Sequence, residues 1–187
     1  MILNYMFVNF VAHDYINHAN NTVLETYCKE ISVGNQDVST TYLSMHHPEV
    51  AKLVDMIKLK TDELKTRVGI KQECNINIDR IWCNINNNTN IDLPHSHPMA
   101  LFSAVYYVKA KPNCGDLVFI TPNSAHQNGE IGKGIIVEQF NEFTSATWSV
   151  SPEEGKLVIF PSWLTHYVQQ NNSNDERISI ALDFFME

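Results

Sequence analysis

The sequence NIDLPHSHP occupies positions 90–98 of the 187-residue chain, and GKLVIFPSWLTH occupies positions 155–166. His95 and His97 are two residues apart, so their side chains point to the same face if this segment is extended. His166 lies far along the chain and can meet them only if a β-sheet folds back on itself. The two stretches together predict a folded sheet in which three imidazoles converge. We expect the His-Ser-His run to start one strand and His166 to lie on or beside a strand of the opposing sheet.

The second part of the chain, from position 74 onward, has the pattern of a β protein. Short segments there alternate between polar and apolar residues or are rich in β-branched and aromatic residues, and clusters of Asn, Gly and Pro separate them. Many short strands with turn signals between them predict a sandwich or barrel. The segments with this pattern are 75–79, 104–108, 116–120, 156–160 and 178–182.

The first part of the chain has the pattern of amphipathic helices. Apolar residues recur near helical spacing over Ser44–Val68, where Pro48 suits the first turn and Gly69 suits the end of a helix. A weaker helical pattern covers Ala19–Ile31. We expect these helices to pack on the outside of the β body.

Length and composition fit one globular domain. A chain of 187 residues can bury a stable core, and 44% hydrophobic with 18% charged residues is typical of a folded protein. We expect a single domain over residues 1–187. In this interpretation residues 1–73 form a helical support and residues 74–187 form the β core.

Charge and cysteine usage limit the possible partners and the compartment. The net charge of -8 argues against a general binder of nucleic acid or anionic membranes, because such a protein needs a basic face. The N-terminal residues lack the basic segment of a signal peptide, and no apolar run is long enough to span a bilayer. We therefore expect a cytoplasmic protein with reduced thiols, without a disulfide framework or a zinc ribbon. The cysteines are Cys28, Cys74, Cys83 and Cys114.

The three histidines have the residue type and pattern of a metal site. A redox metal that also binds a cosubstrate and dioxygen needs three protein ligands on one side, and for non-haem Fe(II) these are usually two histidines and one carboxylate. Imidazole also binds copper, nickel and zinc. We expect the other histidines to be non-ligands, since a single histidine is more often a surface or core residue. They are His13, His18, His46, His47 and His126.

Arg177 follows His166 and opens the segment Arg177–Leu182. A guanidinium can hold a carboxylate through two parallel, charge-assisted hydrogen bonds, so Arg177 is a candidate for binding an acidic cosubstrate beside the metal. The alternative is a surface ion pair with Asp175 or Glu176, which is common and adds little stability.

Several short segments of the sequence together resemble the 2-oxoglutarate/Fe(II) oxygenases of bacteria and their phages, within the wider prolyl-hydroxylase-like group. The resemblance covers residues 81–184, and its most specific motif is Phe-Pro-Ser-Trp-Leu-x-His at positions 160–166. The segments that carry the resemblance are 90–98, 103–108, 115–119, 155–166 and 177–181.

The resemblance implies a double-stranded β-helix, which is a cupin-like jelly roll. It also implies a dioxygenase that uses Fe(II), 2-oxoglutarate and dioxygen, and that hydroxylates a substrate while 2-oxoglutarate is decarboxylated to succinate. By resemblance, His95 and His166 match the metal histidines, and His97 takes the position of the acidic ligand. Arg177 matches the arginine that pairs with the distal carboxylate of 2-oxoglutarate.

The replacement of the usual acidic residue by His97 leaves the third metal ligand open. Asp92 and Asp116 are alternative carboxylates, although neither is two residues away from His95. The three-imidazole site would be one charge more positive than a site with a carboxylate.

Tyr106 is the candidate for donating its hydroxyl to the cosubstrate. Tyr107 points to the opposite face of the strand and could take that role instead. Trp163 is expected either in the pocket wall or in the core.

Two other functions are compatible with the sequence. One is a cupin-like metal-binding module or a three-histidine dioxygenase that does not use 2-oxoglutarate, and the other is a non-catalytic domain that kept only the fold. Arg177 and the sequence motif at positions 160–166 favour the 2-oxoglutarate-dependent enzyme. The substrate is left open between peptidyl proline, another protein side chain, a free metabolite and a nucleotide, with nucleic acid the least expected.

Overall fold

The computed structural model describes residues 8–17, 20–33, 40–88, 90–123, 129 and 133–186. The elements in these residues are strands and two helices, numbered here in chain order. They are β1 (Ala12–Tyr15), α1 (Asn21–Ser32), β2 (Thr40–Tyr42), α2 (Pro48–Val68), β3 (Ile76–Asn86), β4 (Asp92–His95), β5 (Phe102–Lys109), β6 (Leu117–Ile120), β7 (Thr147–Val150), β8 (Lys156–Pro161), β9 (His166–Val168) and β10 (Arg177–Met186).

The strands form two antiparallel sheets. The larger sheet has the order β1-β8-β5-β10-β3-β2, and the smaller one has the order β4-β9-β6-β7. Neighbours in each sheet are far apart in sequence, so the chain passes repeatedly between the two sheets, as in a jelly roll. The prediction of a mainly β jelly roll with helices outside it is confirmed.

The central strand β10 separates an apolar layer from a polar cavity. Its even-numbered residues join the core under the helices. Its odd-numbered residues point the other way, because successive side chains of a strand alternate between faces. The first group is Ile178, Ile180, Leu182 and Phe184, and the second is Arg177, Ser179, Ala181 and Asp183.

Both helices cover the face of the larger sheet that is remote from the smaller sheet. They bury apolar side chains such as Leu24 of α1 and Leu53 of α2 in the same core as β3, β5 and β10. Pro48 stands in the first turn of α2, and Gly69 ends it with a left-handed conformation at φ 78°. The predictions that Pro48 stands in the first turn and that Gly69 ends the helix are therefore confirmed, but the helix begins four residues after Ser44, where the predicted pattern began.

Two short strands from the first part of the chain extend the larger sheet. β1 pairs with β8 at one edge, and β2 pairs with β3 at the other. The expected helical support of residues 1–73 therefore contributes strands as well, and a boundary at residue 74 does not separate helices from strands. Segments of three or four residues are too short for a period-two pattern to be distinguished from a loop.

The four cysteines carry free thiols, and three of them are buried. Among the described residues, no helix is both long enough and apolar enough to cross a membrane.

Replacing Gly115 by alanine should destabilise the protein more than the same change at Gly69. Both glycines have positive φ, which costs a residue with a Cβ roughly 1–2 kcal/mol. A Cβ on Gly115 would also overlap the backbone carbonyl of Gln169 and lie 2.8 Å from that of Gln170, whereas Gly69 faces open space. We expect the free energy of unfolding to fall by about 1 kcal/mol for Gly69→Ala and by about 3 kcal/mol for Gly115→Ala. Equal losses in urea titrations would contradict the close approach of the two backbone segments.

Candidate metal centre

The three histidines come from two neighbouring strands of the smaller sheet. His95 ends β4, His166 begins β9, and the two residues are directly paired across the strands. His97 lies just after β4, where its backbone N–H donates to the carbonyl of Ser162 at 2.8 Å.

Two expectations are wrong: the His-Ser-His run ends a strand instead of starting one, and His166 lies in the same sheet as His95. Adjacent antiparallel strands bring the residues together without a contribution from the facing sheet.

The imidazoles of these three residues converge on one point. Their ring centroids are 4.5 to 5.2 Å apart, and one potential ligand atom from each lies within 4.8 Å of the others. His13, His46 and His47 are described and do not belong to this cluster. His18 and His126 lie outside the described residues.

Hydrogen bonds fix the orientation of two of the rings. Nδ1 of His95 is 2.6 Å from the carbonyl oxygen of Leu93, and Nδ1 of His166 is 2.8 Å from that of Leu164. A carbonyl only accepts, so each Nδ1 carries the proton and Nε2 of the neutral ring keeps its lone pair. Both rings therefore offer Nε2 as the ligand atom.

The third ring has a carboxylate as its partner. Nδ1 of His97 is 2.6 Å from Oδ1 of Asp183, which also accepts a hydrogen bond from the Ser103 hydroxyl at 2.7 Å. Arg80 reaches the other carboxylate oxygen at 3.3 Å. With Nδ1 occupied in this way, Nε2 of His97 is also the nitrogen available to a metal.

Burial keeps His166 neutral. Desolvation, which disfavours the charged imidazolium, lowers the pKa of His166 to about 4, and the nearby His95 and His97 act in the same direction. The hydrogen bond to Leu164 opposes this shift. At neutral pH this ring is therefore an uncharged donor, which is the form that binds metal.

Arg177 is almost completely buried, with 2% of its surface exposed. Its Nη1 donates to the carbonyl oxygens of Cys114 at 2.8 Å and Gly115 at 3.1 Å. The two acidic residues expected as alternative partners pair elsewhere, Asp175 with Lys109 and Glu176 with Lys29.

No carboxylate among the described residues forms an ion pair with Arg177. A buried charge without a countercharge is costly, so the guanidinium has a physical need for an anion.

The histidine cluster and Arg177 line one cavity of about 200 Å³ between the two sheets. Asp92 also lines this cavity but does not belong to the histidine cluster, and Asp116 belongs to neither. The geometry therefore favours His97 over either aspartate as the third ligand. Further polar side chains in the cavity wall are Asn84, Ser103, Tyr107 and Ser179.

The expectation that Tyr106 faces the cosubstrate is wrong. Its hydroxyl donates to Oδ1 of Asn21 in α1 at 2.7 Å, on the helix side of the sheet. Tyr107 lines the cavity instead, and burial raises the pKa of its hydroxyl, which therefore stays protonated and able to donate. Sequence alternation showed that the two rings diverge, but the direction of each depends on how β5 is packed. Trp163 is half-exposed and lies neither in the core nor in the cavity wall.

Two features of the site could not be found by searching for metal-binding motifs. Asp183 and Ser103 are distant in sequence from the histidine run, yet both are buried next to His97. For Asp183, the sequence signal was the alternation of Arg177, Ser179, Ala181 and Asp183 with apolar residues along one strand.

The donor set fits a divalent transition metal together with an anionic ligand. Three neutral imidazoles suit Fe(II) and related metals, and the buried guanidinium suits a carboxylate. Fold and site together define a jelly-roll protein with a candidate three-histidine metal centre beside an arginine.

The sequence and fold comparisons agree with this class. Residues 80–183, more than half of the chain, match the family described as "Putative 2OG-Fe(II) oxygenase". The chain belongs to this family and is therefore a 2-oxoglutarate-dependent non-haem iron oxygenase, with Fe(II) as cofactor and 2-oxoglutarate as cosubstrate. No curated protein matches the sequence.

Solved structures with the same fold include three enzymes of low sequence identity. A prolyl-4-hydroxylase from Pseudomonas putida has a TM-score of 0.62 and 14% identity, covering 96% of this chain and 89% of that one. A viral collagen prolyl hydroxylase from Paramecium Bursaria Chlorella virus-1, in its 2OG complex, has a TM-score of 0.59 and 15% identity, with 93% and 94% covered. The epimerase SnoN from nogalamycin biosynthesis, in complex with Fe3+, alpha ketoglutarate and nogalamycin RO, has a TM-score of 0.61 and 11% identity, with 95% and 79% covered.

Removing each tyrosine hydroxyl separately should distinguish the two sides of the sheet. Tyr106→Phe loses the hydrogen bond to Asn21, so the free energy of unfolding should fall by about 1 kcal/mol while 2-oxoglutarate affinity stays constant. Tyr107→Phe should leave stability nearly unchanged, because its hydroxyl has no hydrogen-bond partner among the described residues. It should weaken 2-oxoglutarate binding by roughly 2- to 10-fold, as measured by calorimetry under anaerobic conditions. The reverse pattern would show that Tyr106 serves the cavity.

Proposed function

We propose that the protein is an Fe(II)- and 2-oxoglutarate-dependent dioxygenase that hydroxylates its substrate while 2-oxoglutarate is decarboxylated to succinate. The observation that carries the proposal is a buried guanidinium that has no carboxylate partner among the described residues and lines the same cavity as three convergent imidazoles. Membership of the oxygenase family supports the same chemistry.

His95, His97 and His166 would hold the iron through Nε2. When bound, Fe(II) supplies the activation of dioxygen that side chains cannot perform. The three Nδ1 hydrogen bonds hold the rings in place before the metal arrives, so little reorganisation is needed on binding.

Arg177 would bind the carboxylate of 2-oxoglutarate that is remote from its keto group, and Tyr107 would donate a hydrogen bond in the same part of the cavity. The backbone carbonyls of Cys114 and Gly115 orient the guanidinium through Nη1 and leave its other N–H groups for the anion. Burial between the sheets excludes water and strengthens this ion pair relative to one at the surface. The protein thus places the cosubstrate by charge and shape.

The histidine cluster, which includes no carboxylate among the described residues, is compatible with one rival function that the family membership disfavours. A cupin-like metal module or a three-histidine dioxygenase that does not use 2-oxoglutarate would have the same three imidazoles. The two functions differ in their need for Arg177. Adding 2-oxoglutarate to the anaerobic Fe(II) protein should change its visible absorption if our proposal is correct, and should leave it unchanged for the rival.

We also propose that the chain acts as a single domain, because the helices and the larger sheet share one core. Its free thiols support a place in the cytoplasm. Among substrates, nucleic acid is the least expected, since the net charge of -8 repels the phosphate backbone.

Replacing His166 by alanine should abolish stoichiometric Fe(II) binding, because two imidazoles remain where three are needed. Anaerobic titration with Fe(II) measures the loss, and circular dichroism verifies the fold. The exposed His13 provides the matched control, and His13→Ala should bind iron like the wild type. Equal iron affinity in the wild type and His166→Ala would refute the proposed site.

Replacing Arg177 by alanine should weaken 2-oxoglutarate binding while Fe(II) binding persists. Loss of a buried charged partner costs roughly 2–5 kcal/mol, which corresponds to about 30-fold or more in Kd. Arg177→Lys keeps the charge but loses the paired N–H geometry, so its Kd should be intermediate. The exposed Arg67 serves as the control, because Arg67→Ala removes the same charge far from the cavity wall. An unchanged Kd in Arg177→Ala would leave Arg177 with a structural role only.

A further inference from the structure

We infer that Asp183 is the residue that allows His97 to replace the usual acidic ligand. It fixes the ring of His97 with Nε2 toward the metal, and it supplies behind that ring the negative charge that a directly bound carboxylate would supply. This inference rests on the proposed function, since it concerns the same metal site.

Asp183 is placed for this role by the alternation of β10. It lies on the cavity side of the strand, on the same face as Arg177, and only 1% of its surface is exposed. Its Oδ1 is 2.6 Å from Nδ1 of His97, which makes a short hydrogen bond to a charged acceptor. The strand that carries the candidate cosubstrate arginine therefore also carries the partner of the third candidate ligand.

The three histidines differ in what stands behind them. His95 and His166 are held by backbone carbonyls, whereas His97 is the one held by a carboxylate. A carboxylate behind a metal-binding imidazole raises the basicity of the ring and fixes its tautomer. The histidine with the carboxylate partner is thus His97, which stands where the usual two-histidine, one-carboxylate ligand set has its acidic residue.

A structural role as the partner of Arg80 does not account for the burial of Asp183. The Arg80 side chain is 42% exposed, and its contact with Oδ2 of Asp183 is 3.3 Å long. Arg80 also approaches the exposed Asp79, with 3.9 Å between its Nε and a carboxylate oxygen. A buried carboxylate needs several good partners, and the two short hydrogen bonds to Oδ1 come from His97 and Ser103.

Solvent screening weakens the electrostatic interaction between Arg80 and the Asp183 carboxylate. The Arg80 side chain is 42% exposed and its contact with Oδ2 is longer than either hydrogen bond to Oδ1, so the guanidinium offsets the charge of Asp183 only in part. The part of the Asp183 charge that Arg80 does not offset acts on His97, which is bonded to the other carboxylate oxygen. The metal site therefore regains part of the negative charge that was lost when the acidic ligand was replaced by a neutral imidazole.

A double-mutant cycle tests this inference, with anaerobic Fe(II) affinity as the measured quantity. In the wild type, Asp183→Asn should weaken Fe(II) binding roughly 10- to 100-fold, as expected for loss of a partner behind a metal ligand. In a His97→Asp background, the carboxylate binds the metal directly and a second one beside it is superfluous. There, Asp183→Asn should cause no loss or should strengthen binding. Asp79→Asn, which removes an exposed carboxylate near Arg80, is the matched control and should change nothing.

The outcomes separate this inference from the proposed function. If the wild type does not bind Fe(II), the proposed function fails. If the wild type binds Fe(II) and Asp183→Asn binds it equally well, only the inference is overturned. Losses of equal size in both backgrounds would also overturn it, because Asp183 would then support the fold alone.

A second measurement needs no variant and so does not depend on the folding of Asp183→Asn. In the wild type loaded with diamagnetic Zn(II), nitrogen NMR shifts of the histidine rings report which nitrogen carries the proton. The inference requires the proton of His97 on Nδ1, toward Asp183, and the metal on Nε2. Zinc on Nδ1 of His97 would overturn it.

Discussion

The alternation of side chains along β10 is the constraint on which the remaining structure depends. This strand lies between β3 and β5 in the centre of the larger sheet, so both of its edges are paired, and its residues from Arg177 to Phe184 are buried on both faces. One face must be apolar because the helices cover it, and the other bears Arg177 at one end and Asp183 at the other. A shift of one residue in the register would move both charges into the apolar core, which would cost far more than any single hydrogen bond returns. The same pattern that stabilises the fold therefore orients the site.

The electrostatics of the site follow from this arrangement. Three neutral imidazoles leave a bound divalent metal with its full charge, and a buried guanidinium adds a further positive charge in the same cavity. Asp92 lines the cavity and Asp183 lies behind one imidazole, so only part of this charge is offset within the protein. A dianionic cosubstrate would supply the rest. Binding of metal and cosubstrate should therefore support each other, because each reduces the electrostatic cost of the other.

Sequence patterns predicted much of this structure, and the parts that they missed depend on packing. The spacing of His95 and His97, with Arg177 after His166, led to the expectation that four side chains share one cavity, and the structure agrees; their roles as ligands stay a proposal. Sequence could not decide which of two adjacent tyrosines faces the cavity, because alternation is preserved when a strand is turned over.

Other features escaped prediction for related reasons. The sheet to which His166 belongs depends on how the chain crosses between sheets, and the strands β1 and β2 are too short to leave a pattern. Asp183 could not be linked to His97, because the two residues are 86 positions apart in the sequence and no local motif connects them. Long-range contacts of this kind carry no periodic signal in the sequence.

The most direct test of the central claim is a crystal structure of the protein grown anaerobically with Fe(II) and 2-oxoglutarate. Our account predicts iron bound to Nε2 of His95, His97 and His166, with a carboxylate of 2-oxoglutarate against the Arg177 guanidinium. Iron bound through Asp92 in place of His97, or 2-oxoglutarate bound away from Arg177, would contradict it.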